Sequence, residues 1–239
     1  MTLPWMAERI QLRAIASLRP HAGNARVHDA AQLAQIMASM QAFGFTNPLL
    51  VFTSPPYGNQ RAYTTKGASY VCMSSSEWPT LHRAWQEAGG KWSSTIIWAK
   101  NTFALGRADY HQQFEAMLYG WKAGAQHYWC GARDQGNVWH FDKPARNDLH
   151  PTMKPVALVE RAIRNSSKPR DTVLDCFGGS GTTMIAAERT GRRAVLLEID
   201  PAYCDVIVQR WQEETGQAAV LDGEDRTFAD VSALRKGTE

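Results

Sequence analysis

The sequence predicts an α/β fold built on a doubly wound, mostly parallel sheet. Short apolar runs that suit buried strands alternate with amphipathic stretches that suit helices. Near residue 175, one such run leads directly into a glycine-rich loop and then into a helical pattern. The length of 239 residues suits one good-sized core with at most a small appendage.

The composition is typical of a folded protein and argues against a disordered, secreted or membrane-spanning chain. Hydrophobic residues make up 44% and charged residues 21% of the chain, which argues against disorder. The formal net charge of +3 suits a polyanionic partner without requiring one. The sequence shows neither a signal peptide nor an apolar run of membrane-spanning length, so we expect a cytoplasmic protein with no membrane partner. The four cysteines are widely spaced, which predicts reduced thiols and no metal site.

Residue patterns in the first part of the sequence, up to residue 141, predict two helices and several strands. Apolar residues recur at helical spacing over residues 32–42, where Asp29 can act as the capping residue. The apolar run 49–52 predicts a strand, and a rigid proline turn follows it at once. Beyond that turn, the patterns predict a helix over 78–88 and strands over 69–73, 94–100, 115–121 and 137–141.

The second part contains the clearest alternation of strands and helices. Pro155 opens an amphipathic helix, and Pro201 opens another that runs to about Thr215. Between them the patterns predict a strand over 173–175, a glycine loop over 177–181, a helix over 182–190 and a strand over 194–198. This order is typical of a parallel, doubly wound sheet.

The glycine loop lies where parallel sheets bind nucleotides. Ligands of such sheets sit at the carboxyl ends of the strands, and an acidic residue about 20 residues after the loop binds ribose hydroxyls. Asp175 precedes the loop, and Glu198 ends the next predicted strand. The loop lacks the Lys-Ser/Thr of a P-loop, so a nucleoside triphosphate is disfavoured. A tight turn without a ligand is the alternative for the loop alone, but the two acids favour a cofactor.

Two stretches carry a resemblance to a known family. The run from Asp175 to Thr183 (DCFGGSGTT) and the run from Leu197 to Cys204 (LEIDPAYC) resemble the S-adenosylmethionine-binding motif of amino-group DNA methyltransferases. The resemblance implies that Glu198 binds the ribose and that Asp200 lies near the adenine. It also implies that the loop surrounds the methionine part of the cofactor, through Phe177, Gly178, Gly179, Ser180 and Gly181. Asp175 and Thr182 complete this set of cofactor-binding residues.

The turn after the first strand, Ser54-Pro55-Pro56-Tyr57, resembles the catalytic tetrapeptide of the same family. The lone pair of an exocyclic amine is delocalised into the base, so its nitrogen is a poor nucleophile. The Ser54 hydroxyl and the Pro55 carbonyl can accept its N–H bonds, and the two prolines fix the backbone for this. Tyr57 can stack on a base flipped out of the helix. Serine at position 54 favours cytosine N4. An ordinary proline turn is the alternative for the motif taken alone.

The order of the motifs favours DNA as the substrate. The catalytic motif precedes the cofactor motif, and HPTMKP (residues 150–155) lies between them. This arrangement resembles the circularly permuted β class of DNA amino-methyltransferases, which implies a Rossmann-like S-adenosylmethionine-dependent methyltransferase fold. In that class the segment completes the cofactor pocket, here through His150, Thr152, Lys154 and Pro155. A helix start with proline in its first turn is a compatible alternative.

Residues 100–149 mix basic and aromatic side chains, which suits phosphate contacts and base stacking. In the β class, target recognition is expected in this region. We expect Trp121 and Trp139 to belong to the core, because both lie on predicted strands. The candidate DNA contacts are Arg107, Lys122, Arg133, Lys143 and Arg146, and a solvated basic face is the alternative.

The domain organisation implied by these resemblances has two parts. Residues 1–50 contain a stretch that resembles the start of a ParB-like domain, cut short, and residues 51–239 form the methyltransferase domain. The loop after Tyr57 is also shorter than is usual in the family. We therefore expect cofactor binding to be more secure than catalysis.

The leading hypothesis is a site-specific DNA methyltransferase that uses S-adenosylmethionine and acts on adenine N6 or cytosine N4. Its expected partner is double-stranded DNA, and a homodimer is left open. The alternative from another class is a catalytically impaired, DNA-binding remnant of such an enzyme. A small-molecule or protein methyltransferase is disfavoured by the motif order.

Overall fold

The computed structural model describes residues 11–12, 49–53, 67–105, 109–143 and 153–236. These residues form nine strands and five α-helices, together with a short 3-10 helix at Ser75–Glu77. The strands are β1 (Gln11–Leu12), β2 (Leu49–Thr53), β3 (Ser69–Met73), β4 (Gly90–Ala104), β5 (Gln112–Lys122), β6 (Val138–His140), β7 (Thr172–Asp175), β8 (Arg193–Leu196) and β9 (Val220–Leu221). The helices are α1 (Trp78–Glu87), α2 (Val156–Ser166), α3 (Thr182–Arg189), α4 (Pro201–Thr215) and α5 (Phe228–Lys236).

Seven strands form the main sheet, in the order β6-β4-β5-β3-β2-β7-β8. Strands β3, β2, β7 and β8 pair in parallel with one another, and β6 pairs in parallel with β4. Only β5 runs antiparallel to its neighbours, β3 and β4. The described chain therefore contains the predicted mostly parallel sheet. Strands β1 and β9 form a separate two-stranded pairing.

Helices cover both faces of this sheet, as a doubly wound fold requires. On β3, Tyr70 and Cys72 face a core cluster that includes residues of α2 and α3. The alternate residues Val71 and Met73 pack with Leu81 and Trp85 of α1 on the other face. Strand β3 is buried along its whole length, so its alternation separates two apolar layers rather than core from solvent.

Most of the predicted elements are confirmed, with shifted ends. The strand over 69–73 and the helix from Pro201 to Thr215 have the predicted bounds. The strand predicted over 94–100 belongs to the longer β4, and the one over 115–121 belongs to β5. The structure adds β9 and α5, which the patterns did not predict. The predicted helix over 32–42 lies outside the described residues.

In the described part of the chain, every helix is too short or too polar to cross a bilayer.

Candidate active site

The parallel strands end together at one edge of the sheet, which we call the rim. Strands β2 and β7 are direct neighbours, with Leu49 opposite Thr172 and Val51 opposite Leu174. Because they run in the same direction, the chain leaves β2 after Thr53 and leaves β7 after Asp175 at this same edge. The tetrapeptide Ser54, Pro55, Pro56 and Tyr57 follows Thr53 directly in sequence and lies outside the described residues.

Asp175 is buried at the rim, and its carboxylate accepts hydrogen bonds from the start of the glycine loop and from the helix that follows the loop. Its Oδ1 accepts a hydrogen bond from the backbone N–H of Phe177 at 3.0 Å. Its Oδ2 accepts one from the hydroxyl of Thr183 at 2.7 Å. The carboxylate therefore joins the start of the loop to the first turn of α3. This role of Thr183 was not predicted from the sequence.

The loop needs glycine for two different reasons. Gly181 has φ of +79°, in the left-handed region that glycine favours. A Cβ on Gly178 would stand 3.0 Å from Cδ1 of Ile207 in α4, so the loop packs closely on that helix. The guanidinium of Arg210, also in α4, donates a hydrogen bond to the carbonyl of Ser180. The loop conformation is therefore fixed by its packing on α4.

Glu198, which follows β8, bonds to the glycine loop. Its Oε2 accepts from the backbone N–H of Gly179 at 2.6 Å. Its Oε1 accepts from the backbone N–H groups of Ile199 and Asp200 at 2.8 and 3.0 Å. The structure thus brings Glu198 against the glycine loop, although they lie on different connections. Asp200 is exposed and caps α4, since its Oδ1 accepts from the N–H of Ala202 at 2.9 Å.

A buried ion cluster joins the HPTMKP segment to the far side of the sheet. The ammonium of Lys154 lies 3.3 Å from Oε2 of Glu115 on β5, and the ammonium of Lys100 on β4 lies 2.7 Å from Oε1. Burial raises the pKa of Glu115, but the two cations outweigh it and hold the pKa below its usual range. Pro155 stands at the start of α2, as expected. His150 and Thr152 lie outside the described residues.

Glu115 was not predicted to be a functional residue. The available signal was a carboxylate within the otherwise apolar run of β5, where burial requires a charged partner. Its partners could not be named from sequence, because Lys154 lies on a distant segment of the chain.

The cysteines of the sheet are neutral thiols at physiological pH. Burial raises the pKa of the Cys72 thiol to about 12, and the nearby Glu115 and Asp175 carboxylates also raise it while Lys154 opposes them. Burial and the adjacent Asp175 also raise the pKa of Cys176. Neither thiol is activated as a nucleophile. Among the described residues, no three His, Cys, Asp or Glu side chains group as a metal site would require.

The structure separates the candidate DNA contacts. Lys143 lies near the rim, where its backbone N–H donates to Oδ1 of Asn101 at 3.0 Å. Lys122 pairs with Gly90 at the opposite edge of the sheet, where the parallel strands begin. Arg133 lies in a connection whose Gln135 bonds to Asn165 at the end of α2, on that same opposite side. Arg107 and Arg146 are outside the described residues. Trp121 and Trp139 are buried, which confirms their assignment to the core.

Comparison with known proteins identifies relatives of this arrangement. A family model described as DNA methylase matches residues 67–209, more than half of the chain. The type II methyltransferase M.BglI of Bacillus subtilis is 32% identical over 141 residues, which cover 52% of this chain and 40% of that protein. The curated relatives that this chain matches are longer, and it spans between 30% and 48% of their lengths.

Solved structures share the fold. The crystal structure of an M1.HpyAVI–SAM complex superposes with a TM-score of 0.63 at 22% identity, covering 74% of this chain and 95% of that chain. The cytosine-N4-specific PvuII DNA methyltransferase superposes with a TM-score of 0.62 at 20% identity, covering 72% and 82%. The predicted Rossmann-like methyltransferase fold is therefore confirmed. These matches lend no support to the alternative of an impaired remnant, and the family match shows that this chain belongs to the DNA methylase family.

Proposed function

We propose that this protein is a site-specific DNA methyltransferase. It transfers a methyl group from S-adenosylmethionine to an exocyclic amino group of a DNA base, adenine N6 or cytosine N4. The observation that carries the proposal is the pairing of β2 with β7. Thr53 and Asp175 therefore end neighbouring parallel strands at the same rim, where parallel sheets bind ligands, and this supports a role there for the segment that follows Thr53 in sequence.

The residues at the end of β7 and β8 suit a nucleoside cofactor. A carboxylate offers about four acceptor positions, and Glu198 uses three of them on backbone N–H groups, so about one remains on Oε2 for a ribose hydroxyl. Asp175 acts as a positioning residue, because its oxygens hold the loop in shape. The proposed pocket comprises these two acids, residues 177–182, Asp200 and the segment His150, Thr152, Lys154 and Pro155.

The proposed chemistry divides between the glycine loop and the segment Ser54–Tyr57. Bound S-adenosylmethionine supplies the electrophilic methyl group on its sulfonium. The hydroxyl of Ser54 and the carbonyl of Pro55 accept the N–H bonds of the target amine, which frees the nitrogen lone pair for attack. Pro56 fixes the turn, and Tyr57 stacks on the flipped base. The neutral thiols of Cys72 and Cys176 suit a direct transfer that needs no cysteine nucleophile.

The wider organisation belongs to the same proposal. Residues 100–149 recognise the DNA target, with Lys143 near the rim as the described phosphate contact. Arg146 follows Lys143 closely in sequence, and Arg107 belongs to the connection between β4 and β5. Residues 1–50 form a shortened ParB-like segment, and residues 51–239 form the methyltransferase domain. The substrate is double-stranded DNA in the cytoplasm, and a homodimer is the assembly to test first.

One labelling experiment tests the proposed reaction. Purified protein is incubated with S-adenosylmethionine carrying a labelled methyl group and with unmethylated duplex DNA, which is then digested to nucleosides. The proposal predicts label in N6-methyldeoxyadenosine or in N4-methyldeoxycytidine, and serine at position 54 favours the latter. Label that appears only in 5-methylcytosine, in protein or in no nucleoside at all contradicts the proposal. A matched reaction with the double variant Ser54→Ala, Tyr57→Ala serves as the control.

A further inference from the structure

Strands β4 and β5 form a hairpin that projects beyond the rim. Strand β3 ends at Met73, opposite Ala116 of β5, and β6 ends at His140, opposite Ala99 of β4. Beyond these points β4 continues to Ala104 and β5 begins at Gln112, and within the described chain no other strand flanks them. At about 3.3 Å per residue, the described residues 100–105 and 109–114 extend roughly 10–15 Å past the sheet. We call these residues the rim hairpin.

The rim hairpin carries an unusual share of the exposed apolar surface. Eight large hydrophobic side chains are exposed in the described chain, and four of them lie here. Leu105 is 86% and Tyr110 is 95% exposed, at the two ends of the connection between the strands. Phe103 (51%) and Phe114 (40%) lie below them on the strands. The other four are dispersed over separate elements, so this patch is the only grouped one among the described residues.

The stem of the rim hairpin is fixed to the rest of the site. Lys100 bonds to Glu115 across the two strands, and Glu115 also pairs with Lys154 in the segment assigned to the cofactor pocket. The side-chain amide of Gln113 donates to the carbonyl of Lys100 at 3.1 Å. Higher up, the rings of Phe103 and His111 stack with centroids 5.0 Å apart and planes 17° apart. The apolar tip therefore stands on an anchored support beside the proposed active site.

We propose that the tip of the rim hairpin, through Leu105 and Tyr110, inserts into the base stack of double-stranded DNA next to the flipped target base. The proposal rests on the proposed function, because a methylated base must leave the helix and its neighbours lose a stacking partner. Aromatic and aliphatic side chains are the groups that DNA-bending and DNA-opening proteins wedge between base pairs.

The chemistry of the rim hairpin favours base pairs over phosphates or another protein. Lys100 is paired with Glu115 at the base of the hairpin, and Asp109 is the one carboxylate among the hairpin's described side chains. The amides and the hydroxyl on its strands suit base edges; they belong to Asn101, Thr102, Gln112 and Gln113. Lys143, bonded through its backbone to Asn101 of the hairpin, supplies a cation beside it for the DNA backbone. The tip is continuous with the rim at which the target base is expected.

The test compares variants of exposed residues, so that the buried core is left intact. The double variant Leu105→Ala, Tyr110→Ala is measured beside Tyr110→Phe and beside Leu234→Ala, a control on α5 that is 56% exposed. The assay is the initial rate of labelled methyl transfer to unmethylated duplex DNA. Cofactor affinity is measured by calorimetry with S-adenosylmethionine, and mass in solution by light scattering.

We expect the double alanine variant to lose at least about tenfold in the rate of methyl transfer. A side chain stacked on a base strengthens DNA binding by a factor of about ten to one hundred, and this stabilisation would be lost. Cofactor affinity and mass should stay unchanged. Tyr110→Phe should keep the rate within about threefold, since it preserves the ring, and Leu234→Ala should match the wild type.

Three results would overturn the inference. An unchanged rate in the double alanine variant means that the tip does not act on DNA. A loss in Tyr110→Phe as large as in the double alanine variant means that a hydroxyl contact, not a wedge, is involved. A change of mass in solution assigns the tip to contact with a second copy of the chain. If the wild type methylates DNA and one of these results appears, the inference alone fails. If the wild type transfers no methyl group, the proposed function fails as well.

Discussion

Replacing Glu115 with glutamine tests the ion cluster that joins the rim hairpin to the HPTMKP segment. The carboxylate lies between the ammonium groups of Lys100 at 2.7 Å and Lys154 at 3.3 Å. The side chains of these lysines are only 11% and 5% exposed, whereas that of Glu115 is 23% exposed. Glu115→Gln keeps the shape of the side chain and removes its charge. It removes the carboxylate that lies between two largely buried cations.

The size of the effect follows from this geometry. Removing one partner from a fully buried ion pair costs about 3–5 kcal/mol, because the remaining charge stays desolvated. Partial exposure of Glu115 admits solvent screening, so we expect a loss of about 2–4 kcal/mol in the free energy of unfolding. Lys154→Met should cost less, about 1–2 kcal/mol, because Glu115 then keeps its shorter contact with Lys100.

The assay is urea unfolding followed by tryptophan fluorescence and circular dichroism at pH 7. Glu87→Gln is the matched control, since Glu87 is exposed on α1 and the same substitution there should change stability by about 0.5 kcal/mol or less. A loss in Glu115→Gln no larger than in the control, or a loss in Lys154→Met that exceeds it, would refute the reasoning.

The pH dependence of the free energy of unfolding is a second test of the same cluster. The pKa of Glu115 is lower in the folded protein than in the unfolded chain, because of Lys154 and Lys100. Its contribution to stability is therefore fully present above the unfolded pKa of about 4.3 and is lost as the pH falls through the folded pKa. The stability gap between the wild type and Glu115→Gln should narrow below about pH 4. A gap that widens on acidification contradicts the assignment.

Three further predictions concern the cofactor loop and the thiols. Gly181→Ala should lower S-adenosylmethionine affinity and stability more than Gly124→Ala, measured by calorimetry and urea unfolding, because both have positive φ but only at Gly181 would an added Cβ meet neighbours within 4 Å. Glu198→Ala should lower S-adenosylmethionine affinity by at least about tenfold in the same titration, because it removes both the proposed ribose acceptor and the bond to the loop. Iodoacetamide at pH 8 should modify exposed Cys130 well before Cys72, as judged by peptide mass mapping, because burial raises the pKa of Cys72 to about 12.

Each of these predictions has a result that contradicts it. Equal effects of alanine at the two glycine positions would show that the contact with α4 is unimportant to the loop. Unchanged cofactor affinity in Glu198→Ala would remove the ribose assignment. Alkylation of Cys72 at the rate of Cys130 in folded protein would show that the core opens at β3.

The elements that sequence predicts well are those with strong local patterns. Helix α4 has the bounds that were predicted from Pro201 onwards. The structure shows that its ends are fixed locally, by the capping residue Asp200 before it and the left-handed Gly216 after it. Strand β3 is a short, wholly buried run, and its bounds were predicted too. In such cases the residues that fix the element lie within or beside it.

Features that depend on distant pairing could not be predicted in this way. The polar ends of β4 have no strand pattern of their own and are extended by pairing with β5, which also runs against the other strands. The same limit applies to the site. Asp175 and Glu198 were predicted from the loop that they flank, whereas the pairing of Glu115 with Lys154 depends on how distant segments fold together. The opposite positions of Lys122 and Lys143 follow from the direction of β5, which the basic residues alone do not indicate.

The central claim is that one rim carries two separate tasks, with the glycine loop holding the cofactor and the segment from Ser54 to Tyr57 holding the base. A single-turnover measurement on Ser54→Ala, Tyr57→Ala tests it most directly. Protein preloaded with labelled S-adenosylmethionine is mixed with excess unmethylated duplex DNA, after the cofactor affinity has been determined by calorimetry. We expect wild-type cofactor affinity together with a loss of methyl transfer of at least about a hundredfold. Transfer at the wild-type rate, or a parallel loss of cofactor affinity, would contradict it.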